Sequence, residues 1–117
     1  MSDSMLNLKN VFSFVAGANI PKKRFVCLKG DGLLYVGNGD ENKSPIGVCD
    51  GGAKEGAAAD VATSGIVQVL AAQGLSAGDW ASSDENGAAV DSDGGERNGI
   101  VVVGASEGGL VSVLINV

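Results

Sequence analysis

The chain has 117 residues, room for one domain, with a formal net charge of −6 and no histidine. The missing histidine removes Ser-His-Asp triads, Cys-His pairs and imidazole zinc sites, and the negative charge disfavours binding to nucleic acid. Glycine supplies 19 residues without a collagen period, so it punctuates many short elements built largely from Val and Ala.

The first twenty residues differ from the rest. Leu6, Leu8, Val11, Phe12, Phe14 and Val15 are apolar, and no glycine occurs before Gly17. Leu8, Val11, Phe12 and Val15 fit a helical spacing, while Phe12 and Phe14 about Ser13 fit a strand. Residues 1–20 therefore read either as an element packed on its own domain or as an arm that docks on a neighbour. Lys22, Lys23 and Arg24 follow as the one basic cluster, either a contact for an acidic partner or the solvated start of a strand.

Residues 21–117 read as a β domain. A strand over residues 24–29 leads through Gly30-Asp31-Gly32 to a second over 33–36, a hairpin signal. A polar loop over 37–45 precedes a short strand at 46–49. A Gly-rich turn follows, then strands at 59–63 and 65–71. The outline then repeats: a strand at 78–83, the turn Glu85-Asn86-Gly87, a strand at 88–91, a polar loop, a strand at 99–103 and a last one at 110–117. Asp31-Gly32 matches Asn86-Gly87, Pro45-Ile46-Gly47-Val48 matches Asn98-Gly99-Ile100-Val101, and Val61 matches Val111. The fold expected is all-β, a compact antiparallel sandwich or small barrel built from two related halves, with an N-terminal arm.

In the last strand Val111, Val113, Ile115 and Val117 share one face, and Leu110 and Leu114 make half of the other apolar. Residues 100–103 are apolar throughout. Such strands are either the centre of a sandwich or faces that another subunit covers. Trp80, the single tryptophan, reads as a core or rim residue or as an interface contact.

Sites for chemistry are sparse. Cys27 and Cys49 are too few for a cysteine-only zinc site and too far apart for a CxxC motif. Nothing at Met1-Ser2-Asp3-Ser4 resembles a secretory signal, so two reduced, buried thiols in a protein made in the cytoplasm are expected. No stretch has the length of a membrane span. The pairs Asp40 and Glu41, Asp84 and Glu85, and Asp91 and Asp93 lie in polar turns, where nothing shifts a carboxylate towards catalysis. In the run from Asp91 to Glu96 the glutamate comes too soon for a calcium loop. No enzyme activity, cofactor or metal is expected.

The ordered set Arg24-Phe25-Val26-Cys27-Leu28, Ser44-Pro45-Ile46-Gly47-Val48-Cys49, Asp60-Val61-Ala62-Thr63-Ser64-Gly65-Ile66-Val67, Leu75-Ser76-Ala77-Gly78-Asp79-Trp80, Asn86-Gly87, Gly99-Ile100-Val101-Val102-Val103 and Val111-Ser112-Val113-Leu114-Ile115 resembles the small capsid decoration, or cement, proteins of tailed bacteriophage heads. The resemblance spans residues 24–117. It implies a structural virion protein on the capsid exterior, made in the host cytoplasm, that binds the major capsid protein and itself as a dimer or trimer and bridges capsomers. It further implies an N-terminal arm, here residues 1–20, with Leu6, Leu8, Phe12 and Phe14 as apolar anchors. Lys22, Lys23, Arg24 and Trp80 complete the expected contact set. The alternative is a carbohydrate- or ligand-binding β module, for which exposed aromatic platforms would be needed.

Overall fold

The computed structural model describes residues 9–37 and 44–115. Leu6 and Leu8 lie outside them. Among the described residues the strands are β1 (Asn10–Val15), β2 (Arg24–Leu28), β3 (Leu34–Val36), β4 (Gly47–Cys49), β5 (Ala58–Leu70), β6 (Trp80–Ser83), β7 (Ala89–Asp91), β8 (Gly99–Val103) and β9 (Leu110–Ile115). The two runs expected at 59–63 and 65–71 are one strand, continuous through Gly65 at a φ of 100°. Of the two spacings open for residues 10–15 the strand one is realised, because β1 pairs antiparallel with β5 from Val11↔Ala62 to Val15↔Ala58.

The sheet runs β3-β2-β4-β5-β9-β8-β6-β7, with β1 on β5. The order divides into two copies of one unit. In the first half β2 pairs with β3 and β4, β4 with β5, and β5 with β1. In the second half β6 pairs with β7 and β8, β8 with β9, and β9 with the later part of β5. Each half curls until its ends meet: Ala16 bridges Leu34 in parallel, as Ala71 bridges Ala89. Further hydrogen bonds repeat as well. Ile20 and Ala53 exchange two backbone bonds, as do Leu75 and Ala105, and Gly37 N–H donates to Phe25 O as Ser92 N–H does to Trp80 O.

This pairing moves two of the sequence matches. Gly47 corresponds to Gly99 and Val61 to Val113, because β4 and β5 meet at Val48↔Ala62 as β8 and β9 do at Ile100↔Leu114. The loop between β3 and β4 is longer than the one between β7 and β8, so one offset cannot serve the whole repeat.

Among the described residues two apolar clusters form the core. Ala16, Ile20, Val26, Leu34, Cys49, Ala59 and Val61 fill the first half, with Phe14 packed against them. The other cluster fills the second half and also takes in Phe25, Val48 and Ala62 from the outer face of the first. The halves are therefore one cooperative body, joined by burial as well as by β5.

The two hairpin glycines have one conformation and different surroundings. Gly32 has φ 80° and Gly87 φ 78°, values at which a Cβ strains the backbone. A Cβ on Gly32 would meet nothing within 4 Å, whereas one on Gly87 would lie 2.6 Å from the Phe25 carbonyl oxygen. Gly32→Ala is expected to cost about 1 kcal/mol of left-handed strain. Gly87→Ala adds a backbone collision and should cost about 3 kcal/mol. Urea unfolding midpoints at constant m-value measure the difference, and equal costs would mean that the seam between the halves is loose.

Candidate functional site

The exterior keeps several large apolar side chains uncovered. Val11, Phe12 and Val15 are exposed on β1, as are Trp80 at the start of β6, Val102 and Val103 on β8, and Leu110 on β9. Register groups most of the second set. Trp80 lies beside Ile100 and Ile100 beside Leu114, while Val103 lies beside Ser112 and Leu110 beside Leu70. This is one outer sheet face, and the Arg97 guanidinium lies 4.8 Å from the Trp80 ring centre. The half-apolar second face of the last strand was the sequence signal for it. Ile100, Val103 and Leu110, which also lie on it, were not among the expected contact residues.

The expected contact residues are not gathered in one place. Phe12 is 56% exposed, while Phe14 packs against the first-half core. Lys23 pairs with Asp50 at 2.5 Å. Arg24 turns to the other half and donates from Nη1 to the Asn86 carbonyl at 3.0 Å. Lys22 is exposed beside a shallow hollow formed with Asn19, Pro21 and Lys54. Lys23 is also held in the left-handed region at φ 60°, where the corresponding residue of the second half is Gly78 at φ 93°. The first half thus keeps a strained lysine where the second uses glycine, and the ion pair to Asp50 offsets part of that strain.

Asp40 and Glu41 lie outside the described residues, and the described polar turns are internally satisfied. Asp84 accepts from the N–H groups of Asn86 and Ala88 at 2.9 Å, and Asp91 from that of Asp93 at 2.8 Å. Glu96 accepts from the Asn98 amide at 2.8 Å and from the Ser44 hydroxyl at 3.0 Å. Among the described residues no group of three or more carboxylates and thiols is placed to hold a metal ion. Cys27 and Cys49 are buried in neighbouring strands and form no disulfide, and burial pushes the Cys49 thiol above its ordinary range. The Tyr35 hydroxyl, with the Leu33 N–H, holds the Asp31 carboxyl below the usual range. That stabilisation is full above the ordinary carboxylate pKa and is lost as the pH falls through the lowered one.

A cavity of about 200 Å³ lies between the halves against Pro45, Glu96 and Arg97. It is smaller than the ~300–1,000 Å³ of ordinary ligand pockets. Neither it nor the hollow beside Lys22 is lined by Trp80 or Tyr35, the side chains a sugar platform would use. The site is thus an extended set of apolar surfaces, suited to contact with protein.

A model of the phage cement protein family matches residues 8–117. The crystal structure of the N base of the head fiber protein gp8.5 of bacteriophage phi29 is similar to this chain, with a TM-score of 0.72 and 26% identity, covering 93% of this chain and 95% of that one. No curated protein matches the chain.

Proposed function

The chain belongs to the phage cement protein family and is a structural protein associated with a phage capsid, and on that premise we propose that it binds the outside of the assembled shell and stabilises it by bridging capsomers. The major capsid protein is its partner there, and it also binds itself. The observation that carries this reading is a well-packed β domain that leaves Val11, Phe12, Trp80, Val103 and Leu110 uncovered, an arrangement made for contact and not for catalysis. Many modest contacts repeated by shell symmetry give large total strength, so no single large interface is required.

The N-terminal segment is the arm in this reading, with Leu6 and Leu8 as its anchors and Lys22 as a cation for acidic shell surface. Asn10–Val15 ties that segment into the sheet, and Ala16 and Ile20 are buried. The test therefore removes residues 1–8 and stops short of β1. Truncation is expected to weaken co-sedimentation with expanded shells by at least about tenfold, the loss of roughly 1.4 kcal/mol per site, with the circular dichroism unchanged. Binding as tight as that of the full chain would sink the arm assignment.

A further inference from the structure

We propose that the outer face of the second half centred on Trp80 is covered by a second copy of this chain, which presents the β1 end of its first half, so that copies associate head to tail. The inference deepens the self-association in the reading above and rests on it. It does not depend on shell binding.

The repeat supplies the argument. In the first half the outer ladder Phe25–Val48–Ala62, set by the pairs Phe25↔Val48 and Val48↔Ala62, is buried. Val67, Val113 and Ile115 of the second half belong to the cluster that seals it. The β6–β7 turn closes the seam: Phe25 N–H donates to the Gly87 carbonyl at 2.8 Å and Arg24 Nη1 donates to that of Asn86.

The same ladder in the second half is Trp80–Ile100–Leu114. Each member is larger than its counterpart, Trp for Phe, Ile for Val and Leu for Ala. Trp80 is nonetheless 41% exposed where Phe25 is 1%. A face that is covered once in the chain appears a second time, more apolar, open at Trp80 and half-buried at Ile100 and Leu114.

The surface that would cover it is also present and also open. Phe12 pairs with Val61 as Val67 pairs with Val113, so Phe12 occupies the place of the sealing residue Val67. Val67 is 4% exposed against the 56% of Phe12. The tip Asp31-Gly32 stands where Asn86-Gly87 stands in the other half, with open space about Gly32. Arg24 reaches the turn that carries Asp84 through the Asn86 carbonyl; its counterpart Asp79, which accepts from the Ser76 N–H at 2.8 Å, would stand between copies beside the turn that carries Lys29.

The two open surfaces differ from each other, so the contact is heterologous and each copy uses both. Chain continuity fits the same scheme. Within the chain β5 runs from the first half into the second; between copies β9 of one and β1 of the next would take the places of the two parts of β5. Closure of the series gives a ring.

The test uses the full chain. Its mass in solution by light scattering at tens of micromolar is expected to be that of a discrete oligomer. Trp80→Glu and Phe12→Glu should each raise the dissociation constant at least about 30-fold, as loss of an interface hot spot does, and so yield monomers with unchanged circular dichroism. Mixed together, they should form a one-to-one dimer, because each retains the surface that the other has lost. A monomeric wild-type chain, oligomers that survive either substitution, or a mixture that stays monomeric would overturn the proposal. Should a variant fail to fold, chains carrying Gly30→Cys or Ser92→Cys take its place, each with one exposed thiol because Cys27 and Cys49 are buried. Under oxidation they should cross-link to each other and not to themselves, and any other pattern overturns the contact. A chain that binds shells yet is monomeric in solution sinks this inference and leaves the shell reading standing.

Discussion

Replacing Phe25 with alanine is expected to remove about 3–5 kcal/mol of unfolding free energy, the cost of deleting a fully buried phenyl ring and leaving a cavity. Phe25 is the largest fully buried side chain of the molecule's described core. It belongs to the first half by chain and to the second by packing, among Val67, Val113 and Ile115. The ring therefore fills the seam between the halves, and its loss loosens both at once. With about 5–15 kcal/mol available to an ordinary domain, such a deletion takes a large share of the total. A fall in the thermal midpoint of more than ~10 °C should accompany it. Trp80→Ala, at the corresponding position, should cost the isolated subunit less than about 1.5 kcal/mol, because much of the indole is exposed and little burial is lost. Denaturant unfolding at nanomolar protein compares the two. Equal losses would mean that the two ladders are not in the different environments described.

Much of this was legible in the sequence, for local reasons. Asp31-Gly32 and Asn86-Gly87 announce their hairpins because each turn needs a positive φ, which glycine supplies. The Val-rich runs announced β2, β8 and β9 with bounds close to those observed. The duplication was visible in outline, yet its register was off by a residue or two in the later part of each half. Only the β4–β5 and β8–β9 pairings fix it, and those join residues far apart in sequence. The same limit applies to the contact residues. Lys22, Lys23 and Arg24 are adjacent in sequence and read as one patch. The left-handed turn at Lys23 and the seam at Asn86 instead send them in different directions. Trp80 and Phe12 stand out in the sequence as large apolar residues, and the structure leaves both exposed. That each is the uncovered counterpart of a buried residue is a property of the paired sheet.

Substituting Gly47 with alanine is expected to cost more than the ~1–3 kcal/mol of ordinary overpacking and to leave little folded protein at 37 °C. The reason is the closeness of β4 to β5. A Cβ on Gly47 would overlap the Ala62 carbonyl oxygen, with the Val61 methyl at 2.9 Å behind it. A carbonyl in a paired strand cannot swing aside without breaking its ladder, so the collision has no cheap relief. Gly99 stands at the corresponding place between β8 and β9. There a Cβ would meet the Val113 methyl first, and the Leu114 carbonyl oxygen at 2.8 Å. Val113 is fully buried and can yield only slightly, but it is a side chain. Gly99→Ala should therefore be damaging in the same way and less severe, by roughly 1 kcal/mol. Soluble yield and urea midpoints of the two variants decide the order. If Gly47→Ala were tolerated, the half-to-half correspondence at these strands would be wrong, and with it the match of Phe25 to Trp80. The position also bears on assembly. Close approach at Gly47 draws Val48 and Ala62 into the covered ladder, and close approach at Gly99 holds Ile100 and Leu114 in line with Trp80. A pair of glycines that first read as part of a weak repeated motif thus sets the geometry of both the filled seam and the open one.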